Sequence, residues 1–218
     1  NLSLIKNKNY TVDFIFNTIL NLNPNLNIVV PTANFNLIDR NEVFSINDTK
    51  SYRMGPISEK IRLQKKAIRS FHPIWSLSGI GPDINDFLKN ISKHGYDTNS
   101  VFSKMFKNDF FFLSLGKHPR FMLSIIHHLE HTNKVPYRFQ KAFNIKYLNE
   151  GKIIEDDFYL DVLKDEYRDK PRARNKKIFE TFESNFELIK FQIGVGMISI
   201  FSFNDFKKST DDLMKKDN

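Results

Sequence analysis

The chain has 218 residues, 40% apolar and 27% charged, the balance of one folded domain with a full hydrophobic core rather than of a disordered chain. It has no cysteine, which excludes a disulfide scaffold, thiolate catalysis and cysteine-bound metal, and fits a reducing, cytoplasmic compartment. Lys and Arg outnumber Asp and Glu by 33 to 25, a net +8 that suits an anionic partner, and no apolar run nears the roughly 18 residues of a membrane span.

The predicted elements alternate. Thr11 caps a helix over Val12 to Leu22, burying Phe14, Ile15, Ile19 and Leu20. Leu26 to Val30 is a short buried strand ending at Pro31, and Pro56 opens a helix running through Ile57 to Ala67. Arg69 to Trp75 is irregular because Pro73 disfavours helix at His72. Asp83 caps a helix towards His94 that Gly95 stops, and Ser100 caps another. Phe110 to Leu115 reads as a buried strand, and Pro119 begins a helix to about His131. A hairpin near Phe139 to Tyr147 and Ile153 to Leu160 follows. A helix over Asn175 to Lys190, a strand over Ile193 to Phe203 and a closing helix over Asp205 to Lys216 complete the chain. This alternation predicts a single layered α/β/α domain with a central mixed sheet over residues 1–218.

Two basic clusters stand out. Arg53, Lys60, Arg62, Lys65, Lys66 and Arg69 are opposed only by Glu59, whereas Lys170, Arg172, Arg174, Lys176 and Lys177 read as a solvated loop beside Pro171. Gly194-Val195-Gly196 lacks the third glycine of a dinucleotide fingerprint and reads as strand glycines. Nucleic-acid binding has only net charge in its favour, so none is expected.

The densest chemistry lies in Ser124-Ile125-Ile126-His127-His128-Leu129-Glu130-His131. On a helix, His127 and Glu130 share a face, with Ser124 one turn earlier. A carboxylate on one imidazole nitrogen fixes the tautomer and makes the other nitrogen a base. The same residues also spell His-x-x-Glu-His, in which His127 and His131 would bind zinc and Glu130 would activate water. A second constellation, Arg69-Ser70-Phe71-His72-Pro73-Ile74-Trp75-Ser76, is a Pro-stiffened loop with hydroxyls, an Arg and backbone amides suited to phosphate or amide groups.

Taken in order, these segments resemble the aminoglycoside 3-N-acetyltransferase family, which is distinct from the GNAT fold. Val29-Val30-Pro31-Thr32 is similar to its strand ending in Pro-Thr. Met54-Gly55 with Glu59 and Arg62 is similar to its Met-Gly-x-x-x-Glu-x-x-Arg segment, and Arg69 to Ser76 followed by Gly81 to its Arg-Ser-x-His-Pro-x-x-Ser signature. Gly95 and Ser100 resemble a Gly-x-x-Ser stretch with altered spacing. Leu115-Gly116, Ser124-x-x-His127-x-x-Glu130 and Val135-Pro136-Tyr137-Arg138 match its Leu-Gly, Thr-x-x-His-x-x-Glu and Val-Pro-Tyr-Arg run, with Ser124 where Thr is usual. Family members usually carry an upstream strand and a His-Ser-Ser-like segment. None precedes Asn1, so that segment is expected to be missing.

The resemblance implies acetyl-coenzyme A as acyl donor, no metal, and an amine of an amino sugar as acceptor, with room for a homodimer. It implies His127 as general base oriented by Glu130, and Ser124 as an oxyanion donor. Arg69, Ser70 and Ser76 would serve the donor site, and Tyr137 and Arg138 the acceptor end. The basic surplus then favours a nucleotide-linked sugar of surface-glycan biosynthesis over a polycationic aminoglycoside drug.

Overall fold

A computed structural model describes residues 12–116, 118–119, 124–168, 171–193 and 195–217. Helical apolar spacing builds α1 (Val12–Leu22), but the buried side chain is Phe16; Phe14 is 49% exposed. Phe16 packs with Ile61 and Ile80, and Lys60 both pairs with Asp13 at 2.5 Å and lies over the Phe16 ring. Thr11 lies outside the described residues.

The α/β class stands, with the strands among the described residues arranged in three antiparallel sheets in place of one central mixed sheet. Strand β1 (Ile28–Pro31) and the short β2 (Ile68–Arg69) flank β3 (Leu77–Ile80), with Gly79 opposite both Val29 and Ile68. β4 (Phe111–Leu115) and β7 (Ile189–Ile193) flank β8 (Gly196–Ser202). β5 (Arg138–Asn149) and β6 (Lys152–Leu163) form a long hairpin that turns at Glu150 and Gly151. Apolar patterning marks a strand without naming its partner. Two of these pairings are hairpins, whose tight turns force antiparallel neighbours. The single expected strand over Ile193 to Phe203 is two strands, β7 and β8, joined at a turn that includes Val195. The β4–β8–β7 sheet is not buried on both faces: Phe111, Leu113, Ile189 and Phe191 are 67%, 41%, 47% and 55% exposed.

Pro56 opens α2 (Pro56–Arg62) at its first position, as the fixed φ of proline allows. α3 (Ile84–Leu88) ends well before His94. Asp83 accepts from the Asn27 amide at 2.9 Å instead of capping, and Lys104 Nζ donates to the Phe87 carbonyl at 3.1 Å and the Lys89 carbonyl at 2.5 Å, closing the helix early. Residues 89–100 are thereby released as a loop. Ser100 does cap α4 (Val101–Lys107), accepting from Ser103 N at 3.4 Å. Pro171 opens α6 (Pro171–Asn185) where a loop was expected, and α7 (Phe203–Asp217) closes the chain. Phe179, Phe182, Phe201 and Phe206 interlock between them with ring centroids 5.2–5.9 Å apart. Among the described residues no helix is long and apolar enough to cross a membrane.

Candidate active site

The short helix α5 (Ile126–Thr132) packs through Ile126 and the fully buried Leu129, and Glu130, one residue on, is only 1% exposed. A carboxylate so enclosed requires partners. His127 Nδ1 lies 2.8 Å from Glu130 Oε2, and Arg138 Nε donates to the same oxygen at 2.5 Å. Arg138 is the first residue of β5, so the hairpin supplies the cation and the helix the acid. Arg138 Nη2 also stands 2.9 Å from His127 Nδ1. A bare Nδ1 would accept from it, but the negative oxygen beside Nδ1 holds a proton there, leaving Nε2 with its lone pair. The His127 side chain is 29% exposed, against 13% for Arg138 and 1% for Glu130. The imidazole is therefore the most exposed member of the group, over a sealed ion pair.

Loop 89–100 walls this site. Gly95 N donates to the Tyr159 carbonyl at 2.9 Å, pinning the loop to β6. A Cβ on Gly95 would come 2.7 Å from Leu160 Cδ2, so a larger residue here would have to displace the Leu160 side chain. Tyr96 then meets the His127 ring edge-on at 5.4 Å, and its carbonyl takes the Nδ1 proton of buried His128 at 2.6 Å. Burial pushes the Tyr96 phenol up and the His128 imidazole down.

Beside the dyad, Asp161 of β6 sits between two imidazoles. His131 Nδ1 is 2.6 Å from Oδ2 and His94 Nε2 is 3.3 Å from Oδ1. The potential ligand atoms of His94, His131 and Asp161 lie within 4.8 Å of one another. Their donor chemistry argues against a metal. His94 Nδ1 accepts the Tyr96 amide at 3.1 Å, so the neutral ring carries its proton on Nε2, the nitrogen a cation would need. The His-x-x-Glu-His zinc reading fails similarly, because His127 and His131 turn to different carboxylates and Glu130 is sealed from water.

Loop 70–76 braces itself. Arg69, 9% exposed, donates from Nε to Ser76 Oγ at 3.0 Å, from Nη2 to the Thr32 carbonyl at 2.8 Å, and from Nη1 to the Thr49 carbonyl at 2.6 Å and the Ile46 carbonyl at 3.2 Å. Ser70 Oγ accepts from Leu77 N at 2.9 Å, and Ser76 Oγ donates to the Thr32 carbonyl at 2.9 Å. His72 Nδ1 accepts from Trp75 N at 3.0 Å, and burial pushes this histidine down to about 4. The fork of Arg69 is therefore committed to the fold, as is that of Arg62, which grips Glu59 through Nε and Nη2 and the Asn47 carbonyl through Nη1. The expected field of free cations reduces to exposed Arg53, Lys65 and Lys66. Ser124 lies in the turn before α5, where its carbonyl accepts from His127 N at 3.1 Å. Tyr137 rests near Tyr167 at 5.9 Å. A hollow of about 240 Å³ lined by residues such as Thr181, Phe186 and Asp212 is built from α6 and α7 and includes none of these site residues.

The sequence did not single out Asp161, His94 or Tyr96. Asp161 is one acid among many in an alternating strand, and His94 looks like a helix end. The parallel contact of His94 with Tyr159 helps bring them together, across more than 60 residues of sequence from His94 to Asp161.

An imidazole held by a buried acid is an arrangement able to act as a general base. A family model described as aminoglycoside 3-N-acetyltransferase matches residues 21–215, and the chain belongs to that family of N-acetyltransferases. No curated protein matches it by sequence. Among solved structures, the YokD protein from Bacillus subtilis is 18% identical with a TM-score of 0.82, covering 98% of this chain and 88% of its own. AAC-VIa bound to sisomicin is 17% identical, TM-score 0.84, covering 100% and 90%. AAC-IIIb with CoASH is 17% identical, TM-score 0.80, covering 94% and 84%. At such identities these structures share the fold.

Proposed function

We propose that the chain transfers the acetyl group of acetyl-coenzyme A to an amine of an aminoglycoside-type amino sugar. The observation that carries this is the part-exposed imidazole of His127, whose Nδ1 lies 2.8 Å from buried Glu130. The acceptor arrives as an ammonium ion and first loses one proton to solvent, which frees the lone pair that attacks. His127 Nε2 takes a second proton from the nitrogen as the new C–N bond forms. The C–S bond then breaks, and the thiolate takes the proton back, leaving amide and free coenzyme A. General base assistance of this kind is worth roughly a hundred- to ten-thousandfold.

Ser124 donates to the carbonyl oxygen as charge develops there. Arg69, Ser70 and Ser76 serve the donor site by holding loop 70–76 in shape. Arg138 acts through Glu130, and Tyr137 lines the acceptor end. Net charge alone favoured a nucleotide-linked sugar. The family model, and the acids near the dyad, where Asp161 bonds His131 and Asp97 acts on it through its charge, favour a polyamine acceptor instead. A thiol-release screen with acetyl-coenzyme A against sisomicin, kanamycin and a nucleotide-linked amino sugar tests this. Release with the nucleotide-linked sugar alone would reverse the preference, and release with none would overturn the activity.

A further inference from the structure

Helix α5 carries a further imidazole one turn beyond His127. His131 follows His127 by four residues, a spacing that sets two side chains on one helix face about 6 Å apart. The two are built alike. Each ring is 29% exposed, and each offers Nδ1 to a carboxylate, at 2.8 Å for His127 and 2.6 Å for His131. Each is thus left with Nε2 free of its carboxylate. They are also joined: Arg138, which grips Glu130 through Nε, donates from Nη1 to the Asp161 carbonyl at 3.0 Å.

The pairs differ in what opposes the acid. Glu130 shares its oxygen with a guanidinium. Asp161, 8% exposed, meets the imidazoles of His131 and His94 through its carboxylate, and neither is a permanent cation. Its bond to His131 pushes that histidine up, with Asp97 adding to the effect. A doubly protonated imidazole donates from Nε2, whereas a neutral ring tethered at Nδ1 accepts there. His131 thus presents, one turn from His127, a second Nε2 that donates whenever its ring carries both protons.

We propose that His131, anchored by Asp161, is an acceptor-recognition residue that donates from Nε2 to an oxygen of the amino sugar, beside the amine that His127 deprotonates. The assignment rests on the acetyltransferase reading above. The carboxylates of Asp97 and Asp161 suit an amine-bearing molecule on this side and repel the phosphates of the donor.

Steady-state kinetics of the full chain, using the fastest acceptor among sisomicin, kanamycin and glucosamine, tests it. His131→Ala should raise the acceptor KM roughly ten- to a hundredfold, the range for a bond from a charged donor. The kcat and the KM for acetyl-coenzyme A should stay within about twofold on the same reasoning. His131→Gln, a neutral donor, should recover part of the loss. Among acceptors lacking one ring hydroxyl at a time, one should have its KM raised with the unaltered chain but not with His131→Ala. An unchanged acceptor KM in a variant that keeps its melting temperature would overturn the proposal, as would a kcat loss matching that of His127→Ala. Absence of thiol release by the unaltered chain with every amine would overturn the enzymatic reading, and this proposal with it.

Discussion

Arg138 Nε and Glu130 Oε2 are 2.5 Å apart, and this is the same oxygen that His127 approaches. One buried oxygen thus serves a permanent cation and an ionisable ring. The guanidinium keeps the acid charged without a titrating partner, and the acid fixes the ring tautomer. The neutral His127 ring should therefore carry its proton on Nδ1. Nitrogen-15 NMR of the imidazoles, read above the ring's titration, should show Nδ1 protonated and Nε2 bare; the opposite tautomer would remove the base.

His127→Ala should lower kcat roughly a hundred- to ten-thousandfold, the reach of general base catalysis. Coenzyme A binding should survive, because no donor-site role falls to this ring. At a hundred times its dissociation constant the coenzyme should still stabilise the variant by about 2.7 kcal/mol. Loss of both turnover and stabilisation would show that His127 holds the donor rather than the proton.

Removing one partner of a buried ion pair costs about 3–5 kcal/mol, because the other charge is stranded. Arg138→Leu should approach that cost in urea unfolding, since Glu130 is sealed. Glu130→Gln, which leaves a carbonyl for Arg138, should cost less stability and still lower kcat.

Arg69→Lys keeps the charge but loses the fork that reaches Thr32, Thr49 and Ser76. Melting temperature should fall, while coenzyme A affinity of the folded protein should change less than about threefold, since the guanidinium is already bonded to protein acceptors and acts on the donor site only through its loop. A tenfold loss of affinity at unchanged melting temperature would make Arg69 a phosphate contact.

Acid should weaken the fold before the carboxylates titrate. His72 is pushed down to about 4, and His128 is lowered too. An unfolded histidine titrates near 6.5, so between about 6.5 and 4 the unfolded chain binds more protons and stability falls as pH drops. His72 alone accounts for about 3 kcal/mol across that window. His131 works the other way: it is raised, so its stabilisation is complete below about 6.5 and fades as pH rises through its native value. Asp161 is lowered, so its contribution persists above about 4 and is lost only in stronger acid. His72→Asn, which keeps an acceptor for Trp75 N, should flatten the slope of the urea midpoint between these pH values.

The dyad was legible because its spacing is local: three residues on one helix bring His127 to Glu130 without tertiary help. Ser100 and the long hairpin were legible for the same reason. What escaped depends on distant packing. Arg138 reads as a ligand contact until the hairpin is folded back onto α5. Arg69 reads as a free cation until four segments converge on it. Asp161 gains meaning only when β6 brings it beneath His131 and His94. The early end of α3 is likewise set from outside, by Lys104 reaching across to the Phe87 and Lys89 carbonyls.

The β5–β6 hairpin keeps its chemistry at one end. Arg138 pairs with Leu163 at the base, and Asn149 pairs with Lys152 at the tip, 12 residues along each strand. At about 3.4 Å per residue that is nearly 40 Å of separation. The exposed turn at Glu150 and Gly151 is consequently a place to attach a fluorophore or an immobilisation handle, remote enough to report on the molecule without touching catalysis.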